Sequence, residues 1–94
     1  MKEVLVELSH SDKPWASKRA AMALKMSGQF EGGGLDEWEY QDMMLRLIDD
    51  NALDKEADDL DTKALLITAI HQVSLLFTNR LSKAAGMLRI QLYQ

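Results

Sequence analysis

The stretch Asp61-Thr-Lys-Ala-Leu-Leu-Ile-Thr-Ala-Ile-His-Gln-Val-Ser-Leu-Leu-Phe77 holds the densest apolar content of the chain and its clearest period. Leu66, Ile70, Val73, Phe77, Leu81, Ala84 and Leu88 follow one another at steps of three and four, the spacing of one helix face. Leu65, Ile67, Ala69 and Leu76 widen that face, which predicts a helix buried on more than one side. Asp61 is placed to cap its start, because a carboxylate there accepts from the free amides of the first turn. Arg80 and Lys83 suit the negative end of the dipole. This long helix is the element against which the rest of the chain is expected to pack.

Toward the C-terminus the pattern divides. Gly86 can end the helix, after which Leu88, Ile90 and Leu92 alternate with Arg89, Gln91 and Tyr93 as a strand. The three-four spacing equally continues through Leu92 at a cost of about 1 kcal/mol for the glycine, and this phase favours the continued helix. A continued helix leaves a seam at Phe77, Leu81, Leu88 and Leu92, longer than two short helices can cover. That seam predicts self-association into a homo-oligomer.

Toward the N-terminus, Val4, Val6 and Leu8 alternate with Glu3, Leu5 and Glu7, which predicts a short strand. Ser11 or Asp12 before Pro14 then reads as a helix start, and Gly28 as its stop. Gly32, Gly33 and Gly34 mark a flexible joint, since three glycines lose too much chain entropy inside a regular element. A second helix is expected from about Asp36 to Asp49, with Asp36, Glu37 and Glu39 in its first turn and Tyr40, Met43, Met44, Leu47 and Ile48 as its apolar stripe. One or two helical turns between Ala52 and Leu60 would put Leu53, Ala57 and Leu60 on one side. The fold class is therefore mainly α: a single domain over residues 1–94, with three principal helices, a short N-terminal strand and a long C-terminal helix.

Composition sets limits. At 94 residues, 47% hydrophobic and 28% charged, the chain can form one modest core. It has no cysteine, which removes disulfides, thiolate zinc sites and thiol catalysis together. No apolar run reaches bilayer length and the first residues do not read as a signal peptide, so a cytoplasmic protein is expected. The net charge of -4 is strongly segregated: about +2 over residues 1–30, -10 over 31–62 and +4 over 63–94. Such a chain can attract its own ends to its middle or present a charged face to a partner.

Motifs for chemistry are absent. Reading a calcium loop from Asp49 puts Leu53 at the fifth place, Asp54 where glycine is required and Leu60 at the closing glutamate. Asp58 and Asp59 are adjacent and diverge on a helix. His10 and His71 have no companions for a metal set, so His71 is expected to be a structural, hydrogen-bonded histidine. There is no serine elbow, and the glycine run lacks the rest of a phosphate loop. These gaps predict no enzymatic activity, no cofactor and no metal. Lys13, Lys18, Arg19 and Lys25 beside Trp15 form the one basic cluster, but the acidic total and the loose spacer after the first helix argue against direct nucleic-acid binding.

Protein binding is what the residues favour. Trp15, Met22, Met26, Trp38, Met43 and Met44 lie at helical spacings and are the candidate partner-binding residues, since methionine and tryptophan make adaptable apolar surfaces. The competing role is an acidic inhibitor or regulator of a nucleic-acid-acting protein, working through Asp49 to Asp61.

The order Val4-Leu-Val-Glu-Leu8, Lys13-Pro-Trp15, a basic alanine-rich helix and then Leu35-Asp-Glu-Trp-Glu-Tyr-Gln-Asp-Met-Met44 resembles the layout of phage tail assembly chaperones. The resemblance covers Val4 to Leu60. It implies a small, helical, acidic phage protein of the host cytoplasm that binds the tape-measure protein or another tail component. It carries over no functional residue.

Overall fold

The structure is a computed structural model that describes residues 2–49 and 51–75. Helix makes up 82% of these residues, well above the ordinary globular share of about a third. Four helices are bounded at both ends: α1 (Lys2–Ser9), α2 (Pro14–Glu31), α3 (Glu37–Ile48) and α4 (Asn51–Glu56). Residues 60–75, here α5, are helical as well. The described residues contain no strand.

The N-terminal strand expectation is corrected to helix α1. Its alternation is also a helical pattern, because Leu5 and Leu8 are three apart with Val4 beside them. Leu5 and Leu8 are buried, Val4 is partly buried against the core, and Val6 is exposed. A lone strand has no partner among the described residues, whereas α1 folds back on α2 through residues 10–13 and satisfies its backbone internally. With α1 and α4 added, the expected count of three principal helices is also superseded.

Helix α2 starts as its sequence requires. Pro14 occupies its first turn, and Lys13 before it is extended. Ala16, Ala20, Ala23 and Ser27, at steps of four, three and four, are all fully buried. A stripe of small residues lets neighbouring helices approach closely. The helix runs past Gly28, the expected stop, to Glu31. An added Cβ at Gly28 would meet nothing within 4 Å, so that position is open. The helical cost of one exposed glycine is only about 1 kcal/mol, and continuing brings Phe30 onto Tyr40, with stacked rings 4.5 Å apart. The three glycines then close the helix. Gly32, Gly33 and Gly34 donate their amides to Gly28, Phe30 and Gln29 carbonyls, and Gly33 takes φ +81, where glycine is favoured.

Helix α3 follows its sequence closely. The Asp36 side chain accepts from the Glu39 amide at 2.8 Å, which holds the Asp36 carboxyl below its ordinary pKa. Tyr40 and Met44 are fully buried, while Leu47 and Ile48 pack at the core's edge. Helix α4 contributes Leu53 to the core.

The cap of α5 lies two residues before the expected Asp61. Asp59 Oδ1 accepts from the Asp61 and Thr62 amides, and Oδ2 accepts from the Thr62 hydroxyl at 2.8 Å. Asp61 sits inside the first turn, where its charge still suits the dipole. Leu66, Ala69, Ile70 and Val73 are buried in the common core with Leu5, Leu8, Trp15 and the α2 alanines, while Leu65 is exposed. The long-helix reading thus holds over residues 60–75. Phe77, Leu81, Leu88, Leu92 and the choice between helix and strand over 87–93 lie outside the described residues.

Candidate functional site

At the surface, several acids of the chain's middle pair with its own bases. Asp58 Oδ1 accepts from the Trp15 indole Nε1–H at 3.1 Å and from Lys13 Nζ at 3.3 Å. The indole bond, then the lysine, hold its carboxyl below the ordinary aspartate range, and the same contact raises Lys13. Asp59 is lowered by Thr62, side chain first and amide second. Lys63 Nζ lies 2.6 Å from Asp54 Oδ1. Arg19 joins three elements: its Nε donates to the Leu47 carbonyl at 3.0 Å, and Nη1 donates to the Trp15 carbonyl at 3.0 Å and to Glu56 Oε2 at 3.2 Å. Four acids of the stretch 49–61 therefore have structural partners. Three of them, Asp54, Glu56 and Asp58, are paired with bases yet keep more than half of their side chains exposed.

The six residues expected to bind a partner separate into two sets. Trp15, Met26 and Met44 are core residues, at most 7% exposed, and present no surface in this fold. Met22, Met43 and Trp38 are 44%, 37% and 81% exposed. Periodicity cannot separate Met22 from Met26, because both fall on one side of α2 and only the neighbouring helices decide which is covered.

Trp38 is the most exposed of the six, at a level close to the 78% of Leu60. It stands in the first turn of α3, on the side opposite Tyr40 and Met44, and Leu45, 42% exposed, follows it two turns later. Trp38 and Leu45 both fall off the Tyr40, Met44, Leu47 stripe in the sequence, and their spacing of seven is the signal that joins Leu45 to Trp38. Asp42 and Asp49 lie along the same side, and Arg46 Nε is 3.1 Å from Asp42 Oδ2. Among the described residues, Asp42, Leu45, Arg46 and Asp49 line an open concavity of about 510 Å3.

A second cleft of about 400 Å3 lies on the other flank of α3, lined by Lys18, Arg19, Met22, Arg46, Leu47, Ala52 and Glu56. Met22 and Trp38 therefore do not share one groove: Met22 lines this cleft, and Trp38 belongs to the opposite flank.

His71 is exposed, so it is not the buried histidine expected. Among the described residues no group of three or more His, Asp or Glu could hold a metal ion, and no helix is long and apolar enough to cross a membrane. Comparison with family models, curated proteins and solved structures found no match.

Proposed function

We propose that this chain is a non-enzymatic protein-binding factor that covers an apolar segment of a partner with the outer face of α3. The observation that carries the reading is Trp38, 81% exposed at the head of a helix whose opposite side is fully engaged in the core. A tryptophan left in water gives up most of its burial free energy, on the order of 2 kcal/mol or more, so its position is best accounted for by an occupant absent from the free chain. Tryptophan is also the residue type most enriched at binding hot spots. The resemblance to phage tail assembly chaperones fits this use, with a tail component as the partner and the host cytoplasm as the location.

The competing reading, an acidic regulator of a nucleic-acid-acting protein, draws less support. Asp54, Glu56 and Asp58 are each paired with a base of the same chain, which offsets part of the charge that such a role would use.

The test titrates the full chain with a synthetic amphipathic helical peptide that has a leucine face and a glutamine face. A rise in anisotropy of a dye carried by the peptide, with loss of acrylamide quenching of Trp38 in the unsubstituted chain and loss of the anisotropy rise in Trp38→Ala, supports the reading. An unchanged signal, or a change that persists in Trp38→Ala, overturns it.

A further inference from the structure

We infer that the segment received by the α3 face is a cationic amphipathic helix, with apolar residues two turns apart and lysine or arginine along their flank. This deepens the proposed function and rests on it. Trp38 and Leu45 are seven residues apart on one side of α3, so their centres lie about 10.5 Å apart along the axis. A helix laid against them meets both with apolar residues at positions i and i+7, and fills the space between with i+3 or i+4. An extended segment has nothing to pair with, because no sheet edge exists among the described residues.

Charge selects among such helices. The exposed part of this side carries Asp42 and Asp49, and its one base among the described residues, Arg46, is paired with Asp42 at 3.1 Å, which leaves a net negative side. Asp42 and Asp49 also line the open concavity that holds Leu45. Lysine and arginine suit this geometry. Their aliphatic stems lie along Trp38 and Leu45 while their cationic heads reach the carboxylates. A glutamate-bearing helix would set like charges against one another at the same places.

Three peptides with the same leucine spacing, bearing lysine, glutamine or glutamate on the flank, are titrated into the full chain at low and moderate salt. The expected order is lysine, then glutamine, then glutamate, with about tenfold between the first and last and a narrowing of that gap as salt rises. Asp42→Asn with Asp49→Asn should remove the preference while the glutamine peptide still binds. Trp38→Ala should abolish binding of all three.

Equal binding of the three peptides, or a lysine preference that survives the double asparagine variant, overturns this inference and leaves the proposed function standing. Failure of every peptide overturns both. Two other occupants are also distinguishable. Quenching of Trp38 that falls with protein concentration, with a dimer dissolved by Trp38→Ala, would overturn the inference in favour of a second copy. Protection of Trp38 in the free chain that is independent of concentration, and released by R80E/K83E/R89E, would overturn it in favour of the chain's own residues 76–94.

Discussion

Replacing Tyr40 by phenylalanine removes one oxygen atom from a fully enclosed site. The Tyr40 hydroxyl and Ser27 Oγ are 2.9 Å apart, both residues have no exposed surface, and the Phe30 ring stacks on the Tyr40 ring. Tyr40→Phe keeps the ring stack and loses the hydrogen bond to Ser27. The net bond is worth about 1 kcal/mol, and a buried hydroxyl left without a partner adds about 1–3 kcal/mol. Ser27 can turn its hydroxyl to the carbonyl one helical turn earlier, so the total should fall near 1–2 kcal/mol. Ser27→Ala removes the same bond from the α2 side and should cost about 1 kcal/mol, reduced by roughly 0.5 kcal/mol because alanine suits the helix better. The double variant removes both polar groups and should lose less than the singles combined, with a coupling of about 1 kcal/mol or more. Urea unfolding followed by circular dichroism reads this as midpoint shifts of roughly 0.5–1 M, for a denaturant slope of about 2 kcal/mol per molar. Additive effects, within about 0.5 kcal/mol, would refute the buried pair as the link between α2 and α3.

Three further outcomes follow from the same structure. Burial raises the Tyr40 pKa against the opposing Ser27 bond; stability should therefore be complete below the unfolded tyrosine value of about 10 and decline above it, and Tyr40→Phe should flatten that alkaline loss. Asp58 and Asp59 are held below the ordinary aspartate value of about 3.9; their contribution should be intact above that pH and be lost as pH falls through their folded values, and urea midpoints of Asp58→Asn should depend less on pH between about 5 and 3. Arg19→Lys keeps the charge but cannot reach the Leu47 carbonyl, the Trp15 carbonyl and Glu56 together, so it should destabilise by about 1–2 kcal/mol in the same assay, whereas Trp38→Ala should change stability by less than about 0.5 kcal/mol.

What could be read from the sequence was local. Asp36 followed by two acids and the Tyr40, Met44, Leu47 spacing specify α3 almost to the residue, because a cap and a three-four period act within one helix. The spacing of Leu66, Ile70 and Val73 likewise gives α5. Where two local patterns share the same residues, as Val4 to Leu8 do, only packing against α2 decides between strand and helix. The site was half legible. Trp38 and Trp15 are both early residues of their helices, and only the chain path puts Trp15 in the core with its indole on Asp58, 43 residues away. The acids of 49–61 were legible as a charge run, but their partners at Lys13, Arg19 and Lys63 are set by the chain path.

The carboxylate of Asp58 has a bearing on the order in which this chain folds. It clasps Trp15 and Lys13 across sequence separations of 43 and 45, whereas α1 meets α2 across a connection of four residues. Closing the longer loop costs more chain entropy, so contacts between α1 and α2 should be made before the clasp. An interaction made on the downhill side of the barrier governs how fast the native state opens and has little influence on how fast it forms, which folding and unfolding rates of Asp58→Asn would read. Asp58 is on this account a kinetic latch: its loss should shorten the lifetime of the folded chain while leaving the folding rate nearly unchanged.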